Sequence, residues 1–490
     1  MDRPFILALD IGSSSVRAAL YDDAACPVPR MSVKIERSLV STADGGAEID
    51  ADEALAQVAE AIDAVLKRSE RLKGEIQYVA ASSFWHSLVG VDAKGRPTTK
   101  VFGWADTRSR KYVETLKKRF DESEVHDRTG ARFHSSFWPA KLLWLKKEFG
   151  DDFSRTTQWL SLSDYFALRL FGTAATSVSM ASGTGIFDIR HCRWDPEMIR
   201  YLGLKIETLP TVVETDSKTF QISGAFAKRW PRLKNARWFP AIADGAADNI
   251  GSGCVSKSRA ALMIGTSGAM RVAYTGEPPE RIPDGLWCYR IDRRRVIIGG
   301  ALSDGGGLYH WLEGTLRLPP DAEDQIATRE PAGHGLSFMP FLAGERSTGY
   351  HGSATGAILG LRTATDPVGI LQAAMESVAY RFAEIFEQLS SVLRIRQIVA
   401  SGGALRDSPV WTQMIADVLG RDLTMSTSSE SSSHGAVLLA LESIGRMDGI
   451  EVSNTPISES TIHRPDRHSV YKTARKQHRT DYELILNKKS

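Results

Sequence analysis

Short apolar runs, each closed by glycine, serine or an acid, alternate along the chain with stretches where apolar residues return every three to four positions. Phe5 to Leu9 predicts a strand, Asp10-Ile11-Gly12-Ser13-Ser14-Ser15 a tight turn, and Val16 to Tyr21 a returning strand. That is a hairpin, not the strand–helix opening of a dinucleotide fold, and GxGxxG is absent. Ala54 to Leu72 carries Leu55, Val58, Ile62 and Val65 at helical spacing. A strand over Ile76 to Ala81, a loop over 82–87, and a second hairpin from Leu88 to Val91 with a turn at Ala93-Lys94-Gly95 follow. Trp104 to Arg108 opens a basic helix; Pro139 to Glu148 and Asp164 to Phe171 are short helices, and Ile186 to Ile189 is a strand. A run from Trp238 then ends at Asp244-Gly245 and becomes a small-residue helix that stops at Gly251-Ser252-Gly253.

The second half opens like the first. Ala260 to Ile264, Gly265-Thr266-Ser267-Gly268 and Ala269 to Tyr274 form another strand–turn–strand, about 250 residues on, which points to an internal duplication. Arg290 to Arg295 reads as a solvated hairpin turn before the strand Val296 to Ile298. Ile370 to Leu393 is a long helix, with Ile370, Ala374, Val378, Phe382, Ile385 and Leu389 on one face. The strand Arg396 to Ala400, the turn Ser401-Gly402-Gly403-Ala404 and the helix Val410 to Leu419 come next. The serine run 426–433 reads as a loop and cap before the helix Gly435 to Ile444. From Glu451 the core pattern fades, leaving Val470 to Ile485 as an exposed terminal helix. The expected division is 1–253, 254–450 and a tail, 451–490, in an α/β architecture.

A chain of 490 residues needs more than one core. With 61 basic and 59 acidic residues, no global field favours nucleic acid or a membrane surface. The tail carries eight Lys/Arg against three acids over 461–490, but without interleaved aromatics it reads as a solvated helix. Cys26, Cys192, Cys254 and Cys288 are scattered, which argues against a zinc site or disulfide framework and for a reducing cytoplasm. Met1-Asp2-Arg3-Pro4 leads straight into the first strand, so no signal peptide is expected, and no run approaches the ~20 apolar residues of a membrane helix.

Gly-rich turns stand at strand ends at 10–15, 265–268, 305–307 and 402–404. Glycine lets a backbone approach a polyphosphate, and turn N–H and hydroxyl groups donate to its oxygens, although such turns also occur with no ligand. No GxxxxGK[ST] is present, which argues against a P-loop enzyme. Two similar hairpins suggest a nucleotide held between two lobes, with Asp10 as a carboxylate partner for hydrated Mg²⁺. Phosphoryl transfer to an alcohol needs positioning, charge neutralisation and a base for the hydroxyl proton. Asp244 suits that role, Asp248 is its rival, and a helix N-cap is the ordinary use of such an acid. Trp85, His86, Trp104, Asp106 and Arg108 supply the polar groups and aromatic floor that a polyhydroxylated acceptor needs; core packing is the alternative for His86 and Trp104.

These segments together resemble the FGGY carbohydrate kinases from Phe5 to about Ile444. Ala8 to Arg17 is similar to the family's first phosphate hairpin, Trp104 to Ser109 to its sugar-loop helix start, and Asp244 to Gly251 to the segment bearing its catalytic aspartate. Gly265-Thr266-Ser267 resembles its second phosphate turn, and Ser401 to Ala404 with Ser408 and Trp411 its adenosine motif. Gly344 to Ser347 and Gly356 to Glu376 resemble its late signature region. Trp138 and Ile370 depart from the family's usual residues.

The resemblance implies an actin-like ATPase fold, two RNase H-like domains with a cleft, ATP and Mg²⁺ as cofactors, and Asp244 as base. It implies Asp10 at the metal, and Gly12, Ser13, Ser14, Arg17, Gly265, Thr266, Gly306, Gly402, Gly403, Ala404 and Asp407 around the nucleotide. Trp85, His86, Trp104, Asp106, Arg108, His134 and Gly245 would border the acceptor. The His86-Ser87-Leu88 and 104–108 segments with His134 look most like the gluconokinase branch, with Arg108 or His134 facing a sugar-acid carboxylate and ketopentoses ranked second. The expected partner is thus a small sugar, sugar acid or polyol, not nucleic acid or membrane; a homodimer is compatible with the sequence, which does not fix the oligomeric state. The competing readings are a non-catalytic regulator on the same scaffold and an actin- or chaperone-like ATPase that lacks a sugar acceptor.

Overall fold

The computed structural model describes residues 4–37, 39–214, 218–427, 430–452 and 457–486. The opening tripeptide, Ser428 and Ser429 of the serine run and part of the tail thus lie outside the described residues.

Phe5–Ile11 and Ser15–Tyr21 form the expected hairpin, paired antiparallel from Ile6↔Tyr21 to Ile11↔Val16. On its other side Phe5–Ile11 runs parallel to Ile76–Ser83, which pairs in parallel with Arg237–Trp238 and Ile242–Ala243. Pro27–Glu36 closes the far edge. Helix Ala51–Arg68 starts earlier than its apolar stripe suggests because Asp50 caps it, accepting from the amides of Asp52 and Glu53. Its buried face, with Leu55, Val58, Ile62 and Val65, packs on this sheet.

The second sheet repeats the plan. Arg259–Ile264 pairs antiparallel with Gly268–Thr275 and parallel with Gln397–Ser401, as Phe5–Ile11 does with its two neighbours. Trp287–Arg290 and Arg295–Leu302 extend one side, and Leu423–Ser426 with Ile457–Thr461 the other. Helix Pro367–Val392 packs its apolar face on this sheet.

The lobes meet where helix Asp244–Gly251, leaving the first sheet, crosses helix Ser431–Ser443 of the second. Ala246, Ala247 and Ile250 share a buried cluster with Ala436 to Leu441. A Cβ on Gly435 would lie 2.8 Å from the Gly251 nitrogen and overlap the Ala247 carbonyl oxygen; one on Gly251 would overlap the Ser431 carbonyl. Only glycine permits this backbone-to-backbone approach.

Three expectations change. Val89–Val91 finds its strand partner in Gln158–Leu160, because the Ala93–Gly95 turn supports only a single bridge, Val91↔Pro97. The 290–295 hairpin forms, but Arg290 and Arg295 are buried: Arg295 binds Asp292 and Glu442, and Arg290 reaches Glu277 and the Ile189 carbonyl. The tail carries both a strand, Ile457–Thr461, and a helix, Pro465–Leu486, whose Tyr471 and His478 are buried against the second lobe. The departures are framework residues: Trp138 is buried, its indole N–H donating to the Ser87 carbonyl at 2.9 Å, and Ile370 packs against the core.

Candidate active site

Three acids rise from the carboxyl edge of the first sheet. Asp10 is in register with Ser82, and Ser82 in turn with Ile242, two residues before Asp244. Asp10 and Asp244 thus stand about two strand spacings apart, ~10 Å along the hydrogen-bonding direction. Asp248 lies one helical turn beyond Asp244. All three line one cavity of about 220 Å³ with Arg17, Gly245, Arg271, Gly402 and Arg406, so both lobes contribute its walls. Gly12, Ser13 and Ser14 form the hairpin tip beside it, closed by the Gly12 N–H donating to the Ser15 carbonyl at 2.9 Å.

The acids have different company. Asp248 accepts from Arg271 Nη2 at 2.7 Å. Asp10 accepts from the Ser82 hydroxyl at 2.8 Å; burial raises its pKa while Ser82 and Arg17 oppose the shift. Asp244 does not cap its helix, whose N-cap is Ala243. Its Oδ1 accepts the Gly245 N–H at 2.7 Å, and among the described residues no cation pairs with it. Burial, then the charge of Asp10, lift its pKa to about 7, against the pull of Arg271. A half-buried carboxylate with a pKa near neutrality is poised to accept a proton. A Cβ at Gly245 would come within 2.9 Å of the Trp85 ring and collide with Arg271, so glycine keeps this floor open.

A second cavity, of about 610 Å³, lies in the second lobe. Gly265, Thr266, Gly306, Gly403, Ala404 and Asp407 line it, so the structure brings these separate Gly-rich turns together. The Gly306 N–H donates to the Gly265 carbonyl at 2.8 Å, and a Cβ on Gly306 would stand 2.7 Å from that oxygen and 2.9 Å from the Ala404 Cβ. Tyr309, stacked on Trp411 with ring centroids 5.9 Å apart, gives the cavity an aromatic wall that a purine can stack on.

On the other side of Asp244, Trp85, His86 and Phe137 pack with Tyr289 and Trp287 from the second lobe. His86 takes a left-handed backbone, φ +67°, and its Nδ1 lies 2.5 Å from the Gly183 carbonyl. Burial keeps its imidazole neutral, so Nε2 is free to accept from Arg346 Nη2, 3.4 Å away. Arg346 lies over Trp104 at 5.4 Å. His134 is also neutral, its pKa lowered by burial and by Arg346 to about 3, and its Nδ1 accepts the Ser136 N–H at 3.1 Å.

Asp106 and Arg108 are turned toward each other. The Arg108 guanidinium forks onto Asp106, reaches Glu48 at 2.7 Å and stacks over Trp144 at 4.9 Å. The cation beside the indole and imidazoles is therefore Arg346 rather than Arg108. Sequence reading placed Arg346 only within a late signature, and missed Arg271 and Tyr289. Tyr289 is fully buried and its hydroxyl has no hydrogen-bond partner among the described residues. The alternation Trp287-Cys288-Tyr289 in a hairpin strand was the available signal, since it puts both rings on one face.

Two α/β lobes of one topology, a carboxylate cleft between them and a Gly-lined cavity at one end define a two-lobed kinase architecture. The FGGY family of carbohydrate kinases matches the chain in both of its domains, the N-terminal domain over residues 5–247 and the C-terminal domain over 260–443. The chain belongs to that family and is a carbohydrate kinase. A gluconokinase of Bacillus subtilis (strain 168) is 28% identical over 506 residues, covering 99% of this chain and 95% of the relative. A xylulose kinase of Staphylococcus xylosus is 24% identical, covering 89% and 90%. The solved gluconate kinase from Lactobacillus acidophilus superposes with a TM-score of 0.89 at 25% identity, covering 100% and 99%. Ligand-bound xylulose kinase from the same organism gives 0.90 at 25%, covering 99% of each chain. The fold is thus the expected actin-like one.

Proposed function

We propose that the chain transfers the γ-phosphoryl group of ATP to a hydroxyl of a sugar acid, converting gluconate to 6-phosphogluconate, with Asp244 as general base. The observation that carries this is the Asp244 carboxylate, without an ion pair among the described residues, in a cavity built by both lobes, where burial and then Asp10 raise its pKa to about 7. As the acceptor oxygen bonds to phosphorus, its proton passes to Asp244 and the bond to the leaving ADP oxygen breaks. Arg271 holds Asp248 and so leaves Asp244 unshared. Arg17 and Thr266 approach the phosphates from opposite lobes, with Gly12, Ser13, Ser14 and Gly402 at the turns; Gly403, Ala404 and Asp407 border the nucleoside.

Asp10 fits Mg²⁺: its carboxylate lines the phosphate end of the cleft, and this ion takes one or two carboxylates and fills its other positions with water and phosphate oxygens. When bound, Mg²⁺ supplies neutralisation of phosphate charge.

Gluconate is supported by the cation–aromatic arrangement of Arg346, Trp104 and His86, which suits a carboxylate end, and by the gluconokinase relatives. Trp85, His134 and Gly245 complete the pocket, and the unpartnered Tyr289 hydroxyl is a donor for an acceptor hydroxyl. In this reading Asp106 and Arg108 brace the pocket as a pair. The second reading, a ketopentose acceptor, is favoured by the xylulose kinase likeness. The proposed lobes are 1–253 and 254–450, with 451–490 appended. A cytoplasmic setting belongs to the same proposal and is supported by the four free cysteines.

A coupled ADP assay over gluconate, xylulose, ribulose, ribitol and glycerol decides. Gluconate is expected to give the highest kcat/KM; a ketopentose in first place would replace it, and no acceptor-dependent ADP at all would favour the regulator. The acid limb of the rate is also expected near pH 7. Asp244 must be deprotonated to accept the proton, so kcat/KM should fall about tenfold per pH unit below that point. A profile flat from pH 5.5 to 8 would argue against a base of raised pKa.

A further inference from the structure

The family match ends at residue 443, yet the helix Pro465–Leu486 beyond it is tied to the acceptor side of the cleft. Its Tyr471, His478 and Tyr482 lie on one face, at i, i+7 and i+11. His478 Nε2 lies 2.9 Å from the Phe338 carbonyl, and the Tyr482 hydroxyl reaches both oxygens of Glu345, at 2.9 and 2.8 Å. Glu345 is 1% exposed and is ion-paired with Arg381, whose guanidinium lies 4.9 Å over the Tyr482 ring. The Gly349 N–H donates to the same carboxylate at 3.2 Å.

Glu345 is the residue before Arg346, and Ser347 is the residue after. Ser347 is pinned on the second sheet: its N–H donates to the Ala301 carbonyl and its hydroxyl accepts the Ala301 N–H, both at 3.0 Å. Arg346, between two anchored neighbours, reaches the other way, to Trp104 and His86. A planar guanidinium recognises a carboxylate only from a fixed position, so whatever holds Glu345 also sets the aim of Arg346.

We propose that Tyr482 is a positioning residue for the acceptor site: the tail helix clamps Glu345 and thereby holds Arg346 where the acceptor binds. This rests on the reading that Arg346 faces the acceptor. Loss of the hydroxyl removes one donor from a buried carboxylate and frees its loop, while the nucleotide cavity, which shares no residue with the network, keeps its form.

The test compares full-length Tyr482→Phe, Gly349→Ala and Arg346→Lys with the parent and with Lys476→Ala, an exposed position on the same helix. Gly349→Ala is a second probe of the same clamp, because its Cβ would overlap the Tyr482 hydroxyl and crowd the Glu345 carboxylate oxygen at 2.5 Å. Steady-state constants are measured with gluconate, or with the acceptor of the panel that the parent uses, together with ATP. Tyr482→Phe and Gly349→Ala are expected to raise the acceptor KM about five- to tenfold, leaving the KM for ATP within twofold of the parent, with Lys476→Ala unchanged. If Arg346→Lys raises the acceptor KM and Tyr482→Phe does not, the clamp is refuted. A parallel rise in both KM values with a lower unfolding temperature also overturns it, making the helix a cover only. If Arg346→Lys itself leaves the acceptor KM unchanged, the reading of the pocket fails instead.

Discussion

Asp244→Asn is expected to lower acceptor-dependent turnover by about 1,000-fold or more, because asparagine keeps the shape and loses the proton acceptor. Nucleotide affinity should stay close to the parent's, since the Gly-lined cavity proposed for the nucleoside does not include residue 244. Stability should move the other way. The folded pKa of Asp244 lies above its ordinary value, so the folded chain binds the proton more tightly than the unfolded chain. That linkage favours folding at low pH and weakens as pH rises from about 4 to 7. The amide escapes this loss, so the variant's unfolding midpoint should match the parent's near pH 4 and exceed it at pH 8. Turnover within tenfold of the parent would remove Asp244 from the role of base.

Gly435→Ala is expected to cost about 3 kcal/mol, the upper end for inserting a methyl group into a packed interior. On one side the new Cβ meets the Ala247 carbonyl and on the other the Gly251 nitrogen, both backbone atoms of the helix that begins with Asp244. Neither can rotate away as a side chain can, so relief requires the two helices to part. That movement shifts Asp244 relative to the second lobe, and kcat should fall together with the unfolding midpoint. An alanine variant within 0.5 kcal/mol of the parent, measured by urea unfolding, would show that this crossing is not tight.

What the chain discloses without a structure follows the range of the contacts. The two hairpins are legible because strand, Gly-Ser turn and strand lie within some twenty residues, and the glycine turns report phosphate-ready backbone. The helix Pro367–Val392 is legible from its 3.6-residue stripe. Asp244 could be singled out by its place after a short apolar run, but its raised pKa depends on burial between the lobes and then on Asp10, both set by residues remote in sequence. Arg295 looks like a surface arginine because its partner Glu442 is 147 residues away. Arg108 and Arg346 could not be told apart as pocket cations, since the Glu48 that engages Arg108 sits 60 residues upstream. The tail did carry a signal: Tyr471, His478 and Tyr482 share a helical face, but two widely spaced tyrosines and a histidine do not amount to an aromatic pattern until Glu345 and Phe338 are in place.

The most direct test of the account is a crystal structure with gluconate and a non-hydrolysable ATP analogue bound together. An Asp244 carboxylate oxygen should lie within about 3 Å of one acceptor hydroxyl, with that hydroxyl facing the terminal phosphate. An acceptor whose reacting hydroxyl instead meets Asp248 or Asp10, with Asp244 more than about 5 Å away, would contradict it.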